Sequence, residues 1–296
     1  MAELERERRR INNALQLQSV VRIMKAMASA NIVVCEESMR SLNEYHKTIE
    51  LGLQIVLANN KEFPASRPED EGRSLGAVVF GSEQGLCGRF NEIVVRYTLD
   101  RLAEIEHEEL RVLAVGRRAG NRLQEAGQPV EAQFSFSGDF PGISEVMAGV
   151  LDRIDQWRLQ SAVSPIVLFY NRPLPGKGGL FSPRMAYLFP VDSGWLAGLA
   201  RKKWISNSLP AYSMQADQLL SSLLREHLFF SLYRAFAESL ASENSSRLSS
   251  MQAAERNIEE HLKALMSRYR KQRQEAISSE LLDILTGYEA ISSVRF

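Results

Sequence analysis

"LFFSLYRAFAESLASENSSRLSSMQAAERNIEEHLKALMSRYRKQRQEA", residues 228–276, contains neither proline nor glycine. Leu228, Leu232, Phe236, Leu240, Asn244, Arg247, Met251, Ala254, Ile258, Leu262, Leu265, Tyr269, Gln272 and Ala276 follow one another at steps of three or four. Residues so spaced share one face of an α-helix. After Pro210 the next glycine is Gly287. Nothing in between stops the helix, which is predicted to reach roughly 110 Å at the usual rise per residue. A single seam on so long a helix has to be covered by something else.

The other end of the chain offers the cover. Residues 1–63 hold no proline, and Gly52 is their one glycine. Val21, Met24, Ala28, Cys35, Met39, Leu42, Tyr45, Ile49, Leu53 and Val56 recur at steps of three, four or seven. A repeat averaging near 3.5 predicts a coiled-coil seam. Both helices leave the same middle region, so an antiparallel pair is expected.

The middle reads differently. Strand-like runs at 75–80, 110–116, 130–136, 164–171 and 184–190 alternate with helix-like runs at 91–105, 117–127 and 143–157. This alternation predicts an α/β domain with a largely parallel sheet. The fold class is therefore α/β: a long antiparallel two-helix coiled coil formed by the N- and C-terminal helices, with an inserted Rossmann-like domain. The expected boundaries are a helix over 1–58, a polar linker over 59–74, the α/β domain over 75–208 and the last helix over 209–296. Residues 171–184, rich in Gly and Pro, are expected to form a loop.

Composition narrows the function. Lys plus Arg equals Asp plus Glu, 36 each. A zero net charge argues against a general nucleic-acid binder. Two basic clusters stand out, Arg6, Arg8, Arg9 and Arg10 in the first helix and Arg268, Arg270, Lys271 and Arg273 in the last. In an antiparallel pair they fall at a similar height. Cys35 and Cys87 are too few for a disulfide scaffold, lack metal-binding spacing and are expected to stay unpaired. His46, His107, His227 and His261 form no metal-ligand pair. No apolar run near the length of a membrane span is expected, and the charged N-terminus does not read as a signal peptide.

"GSEQGLCGRF", residues 81–90, is the one glycine-rich turn after a strand. Its G-x-x-x-G-x-x-G order lacks the Lys-Ser/Thr of a phosphate loop. Gly81, Gly85 and Gly88 read better as tight backbone turns. Arg89 beside Cys87 is a candidate for lowering the thiol pKa, but no histidine accompanies it. The residues alone leave three readings: a shaft with an α/β foot, a coiled-coil scaffold with an α/β head, and an enzyme with a nucleotide-binding domain.

Four segments together resemble a known family. "GSEQGLCGRFN" looks like the G-L-C-G segment of the γ subunit of F-type ATP synthases. "RRRINNALQLQSVVRIMKAMASANI" resembles its first helix, and "ESLASENSSRLSSMQAAERNI" and "YRKQRQEAISSELLDILTGYEAI" resemble its last. The resemblance runs in order over almost the whole chain. It implies a central rotor stalk with no active site and no cofactor, whose partners are the α and β subunits of the F1 hexamer, the ε subunit and the c-ring. It also implies no direct nucleotide binding, no nucleic-acid partner, and a peripheral position on the cytoplasmic face of a bacterial inner membrane. A scaffold unrelated to rotation is the alternative. Arg8, Arg10 and Ile11 match the family's opening basic motif. Arg22, Met24, Arg247, Arg273, Gln274, Ser278 and Glu280 match positions that face the catalytic subunits. Gly85, Leu86, Cys87 and Gly88 match a structural turn of the foot domain. The resemblance further places the apolar tail, Leu281, Leu282, Ile284, Leu285, Ile291, Val294 and Phe296, in an apolar sleeve.

Overall fold

Strand β1 (Ser74–Phe80) is buried at every residue but its first, the mark of a strand covered on both faces. It sits at the centre of a five-stranded sheet with β2 (Glu109–Val115), β3 (Val130–Phe134), β4 (Ile166–Pro173) and β5 (Phe181–Phe189), in the order β3-β2-β1-β4-β5. The first four strands are parallel and β5 runs antiparallel at the edge. The computed structural model describes residues 2–59, 74–136, 140–161, 163–174, 180–204 and 210–293. The interior of the expected linker, 60–73, lies outside them, as do Val294 and Phe296.

The chain divides into two units, Ala28–Arg247 and Met1–Met27 with Leu248–Phe296. Helices α1 (Ala2–Asn59) and α6 (Ala216–Ser293) run through both. In the first unit the period-2 alternation of the strands sorts their side chains into two cores. Val78, Phe80, Leu113, Val115, Ile166 and Leu168 face α4 (Phe140–Ser161) and α6, meeting Met147, Ile154, Trp157, Leu232 and Phe236. Leu75, Ala77, Val79, Val112, Ala114, Val167 and Phe169 face the other way, onto α2 (Phe90–Leu102) and α3 (Arg117–Glu125). The sheet is thus a Rossmann-like layer between helices, with the last long helix as part of one layer.

Three local expectations are corrected. The loop expected over 171–184 is shorter, because β4 continues to Pro173 and β5 begins at Phe181. Their pairing continues through Tyr170–Arg184, Asn171–Pro183 and Arg172–Ser182. A short helix, α5 (Ser193–Arg201), was not expected; Asp192 caps it by accepting from the backbone N–H groups of Gly194 and Trp195 at 2.8 and 3.3 Å. Finally, α1 has an 18-residue window of mean hydropathy 1.2, enough by length and composition for a membrane span, although no such run was expected. Only 6% of that window is buried within the chain. Leu17, Val20, Ile23 and Met27 all stand exposed.

Helix α5 closes a third cluster, in which Leu199 meets Ile49, Leu53 and Leu57 of α1 and Leu220, Leu223 and Leu224 of α6. Next to it His46 of α1 and His227 of α6 face each other, Nε2 to Nδ1, at 3.1 Å. His46 stacks on Phe230 and His227 on Trp195. One ring must donate and the other accept, so the pair requires at least one neutral imidazole. Burial lowers the pKa of His227 to about 4 and also lowers that of His46, where Glu50 pulls the other way and Arg234 adds to the lowering. Bases depressed in the folded state hold fewer protons than in the unfolded chain, so this contribution is lost as the pH falls from about 6.5 towards 4. The thermal midpoint should drop across that window, and His46→Gln/His227→Gln should flatten the slope. An unchanged slope in the double variant would mean that other groups cause the acid sensitivity.

Candidate functional site

In an open α/β sheet, ligands enter at the carboxyl ends of the strands, where the strand order reverses. Here that point lies between β1 and β4. The turn after β1 is held from several sides. The Asn91 side chain accepts from the Ser82 backbone N–H at 2.9 Å and donates to Ser82 Oγ at 2.7 Å. Gly81 is where the chain needs a glycine for closeness: a Cβ there would lie 2.2 Å from Ala119 Cβ. Gly88 is where it needs backbone freedom, at φ 57°. Gly85 does neither, and Leu86 rather than a glycine takes the left-handed conformation at φ 63° while exposing its side chain. Cys87 is buried, and burial raises its thiol pKa. Arg89, the candidate for lowering it, turns its guanidinium to Glu92 instead, at 2.7 Å. Burial also pushes the Cys35 thiol up to about 12. Both cysteines are free. Among the described residues no group of three His, Cys, Asp or Glu is placed to hold a metal ion.

Arg247, expected to face a partner, is turned inward. It is 9% exposed and donates to Glu243 Oε1 at 2.5 Å and Asn244 Oδ1 at 3.3 Å. Burial pushes the Glu243 carboxyl up to about 6, against the pull of Arg247. Asn31 of α1 donates to the same Asn244 oxygen at 3.4 Å. This polar knot breaks the apolar seam of α6, where Asn244 and Arg247 stand between Leu240 and Met251.

The other unit is an antiparallel helix pair. Ile11 and Ala14 pack on Ile258, Leu262 and Leu265. Gln18 donates to Glu259, and Arg22 and Lys25 both pair with Glu255. Those two cations hold the Glu255 carboxyl below the usual carboxylate range. Arg22 is exposed while Met24 is half-buried. Arg8 and Arg10 are exposed, Arg10 pairing with Glu7 at 2.8 Å, and Arg273, Gln274, Ser278 and Glu280 are exposed on α6. Facing positions rise along α1 as they fall along α6, Gln18 meeting Glu259 and Arg22 meeting Glu255, so α1 runs out before Ile277. From Arg273 to Thr286 every residue is exposed, including Ile277, Leu281, Leu282, Ile284 and Leu285. The side chain of Ile291 lies outside the described residues.

The sequence reading missed Glu255, which braces two cations across the pair. Its signal was present: Arg22 and Lys25 are three apart on α1, and antiparallel pairing brings an acid of α6 against both. It also missed the serines of α6, because serine in a helix usually reads as a solvated position.

Comparison with known proteins places this geometry. The family described as "ATP synthase" matches residues 3–291. The ATP synthase gamma chain of Nostoc punctiforme is 29% identical over 321 aligned residues, covering 99% of this chain and all of that one. The gamma chain of Polynucleobacter asymbioticus is 25% identical, covering 98% of this chain and all of that one. Among solved structures, a chain of the Euglena gracilis mitochondrial ATP synthase (OSCP/F1/c-ring, rotational state 3) superposes with a TM-score of 0.65 at 15% identity, covering 98% of this chain and 95% of that chain. A chain of the rotor of the same enzyme gives 0.63 at 16% identity, covering 93% and 99%. At such identity these two show the shared fold.

The turn can be tested by packing alone. Gly81→Ala forces two Cβ atoms to an impossible separation and should cost about 1–3 kcal/mol, read as a lower midpoint in urea. Gly198→Ala on α5 meets open space and should be neutral or stabilising by up to about 1 kcal/mol. Equal effects at the two sites would mean that Gly81 is not held against α3.

Proposed function

We propose, for a chain that belongs to the ATP synthase family and resembles its gamma chains from end to end, that it is the central stalk subunit of the complex and couples rotation to ATP synthesis or hydrolysis without an active site of its own. The observation that carries this reading is the exposed apolar end of α6. Ile277, Leu281, Leu282, Ile284 and Leu285 stand in solvent on a helix that α1 no longer accompanies. Such a stretch needs an apolar sleeve, and a ring of α and β subunits supplies one. Its rim would meet Arg8, Arg10, Arg273, Gln274, Ser278 and Glu280, all exposed on the same helix pair. The ε subunit and the c-ring would sit against the α/β domain. Bacterial relatives support placing the complex at the cytoplasmic face of the inner membrane. Arg247 leaves the contact set in the free chain, because its guanidinium is occupied by Glu243 and Asn244. The reading is tested by co-expression with the α and β subunits of the same organism. The chain should co-purify with them and support ATP hydrolysis, whereas a chain purified alone under those conditions would defeat it.

Met24 gives a sharper test of coupling. Its helical neighbours one turn away, Val20, Val21, Met27 and Ala28, include no acid, and Glu255 is already shared by Arg22 and Lys25. A lysine at 24 would therefore find no acid one turn away on α1 and would have to compete for Glu255, leaving its charge to seek a carboxylate on the partner. A well of ~1.4 kcal/mol at one rotor angle slows a limiting step about tenfold. Met24→Lys should assemble and hydrolyse ATP but pump fewer ions per ATP, while Met24→Leu should behave as the parent. Hydrolysis and pumping measured together in vesicles decide the matter. Equal pumping per ATP in the lysine variant would remove Met24 from the coupling surface.

A further inference from the structure

The crevice where a Rossmann-like sheet would admit a ligand is filled by the chain's own helix. Three serines spaced along one face of α6 donate to three backbone carbonyls around it. Ser239 Oγ reaches the carbonyl of Phe80, the last residue of β1, at 3.4 Å. Ser242 Oγ reaches that of Asn171 on β4 at 3.0 Å, sharing its proton with Glu238 O one turn back at 2.9 Å. Ser246 Oγ reaches that of Cys87, in the turn after β1, at 2.7 Å. Ser239 and Ser242 are buried, and Asn171 is fully enclosed while donating to Phe90 O at 3.1 Å. The polar contacts continue the apolar packing of Leu232 and Phe236 against the same sheet face.

We infer that Ser239, Ser242 and Ser246 are the torsional fastening of the long helix to the α/β domain, the residues that make sheet and helix turn as one body. Apolar packing resists separation but is non-directional. Rotation of a helix about its own axis lets one aliphatic contact replace another at little cost. Hydrogen bonds fix the angle, because each hydroxyl meets its carbonyl at one helix orientation only. Three such bonds, from positions 239, 242 and 246, define both the rotation and the axial position of α6. The role of these residues is positioning: they touch no substrate and act through the helix. The inference rests on the rotor reading above for its consequence in coupling, whereas the fastening itself can be observed in the chain without it.

Cys87 is a native reporter. Its thiol is buried under the ladder, and its labelling by a maleimide requires the turn to open. The test compares the parent with Ser239→Ala/Ser242→Ala/Ser246→Ala in the assembled complex, in vesicles, with labelled peptides resolved by mass. The label on Cys35, buried on α1, serves as the internal control. Losing three hydrogen bonds should raise Cys87 labelling on the order of a hundred-fold, and ions pumped per ATP should fall about two-fold or more while hydrolysis persists. A general loss of stability lowers the amount of complex but not the pumping ratio of what remains. Faster labelling with an unchanged ratio overturns the torsional role, and a lowered ratio with unchanged labelling means that the effect does not pass through the ladder. Should the triple variant fail to assemble, Ser246→Ala against Ser246→Thr at the half-buried rung repeats the comparison. Alanine should raise labelling about five-fold and threonine, which keeps the hydroxyl, should restore it; equal labelling in the two overturns the ladder. If the parent chain itself does not assemble with α and β subunits, the rotor reading fails, and Cys87 labelling in the isolated full chain still decides the fastening.

Discussion

Burial of one seam on α6 is the constraint from which the other features follow. A 78-residue helix is held by whatever covers its stripe, since propensity alone stabilises long helices weakly. Cover changes along its length. In the unit from Ala28 to Arg247 it is α1, α5 and the sheet, with Leu232 and Phe236 inside the main core. In the other unit it is Ile11 and Ala14 against Ile258, Leu262 and Leu265. Past Gln272 nothing in the described chain covers it. Fully burying an aliphatic side chain is worth about 1.5–3 kcal/mol, against about 0–1 kcal/mol for an exposed ion pair. On the rotor reading, binding at that end would be governed by Leu281, Leu282, Ile284 and Leu285, with Arg273 and Glu280 setting register.

Two carboxylates on the same helix show how position decides chemistry. Glu255 is half-buried at the helix pair and lies between Lys25 and Arg22, which hold its pKa low. Glu243 has a cation too, yet burial outweighs Arg247 and moves its pKa up to about 6. Ionising it is costly there, and the site is maintained by hydrogen bonds to both neighbours rather than by charge alone. A half-buried carboxylate with two cations at its edge braces a helix pair at little cost. A buried one marks where the helix presses on the domain.

The long helices were legible in the sequence because their seams are periodic and no Gly or Pro interrupts them. The α/β alternation was legible for the same reason at period two, and the family resemblance placed the whole. Helix α5 was not, although Asp192 stands as a cap, because nine residues carry too little periodicity to be told from a loop. The length of β5 was hidden by the Gly and Pro around it: pairing with β4 extends it to Phe181 regardless of its own propensity. Among the candidate contacts, exposure of Arg8, Arg10 and Arg273 follows from their spacing off the seam. Arg247 lies on the seam at a step of three from Asn244, and the sequence reading had counted it there; its inward turn was readable from that position. Leu86 in the left-handed region had no signal, since glycines stand on nearly every side of it.

The closure of the crevice at the strand ends has a structural cause as well. A Rossmann-like sheet keeps its ligand crevice open only if the next layer of helices stops short of the strand ends. Here one helix continues past them and puts Ser239, Ser242 and Ser246 where a ligand's donors would go. The glycine turn beside it is drawn against Ala119 rather than opened towards an anion. Cys87, the thiol in that turn, is closed over and held protonated by burial. The surfaces the described chain does expose are the charged residues of the helix pair, the apolar end of α6 and Leu86 at the tip of a turn. On the rotor reading such a chain would work by what it presents and by how rigidly its parts are joined, and hydrogen bonds that look merely structural would then carry functional load.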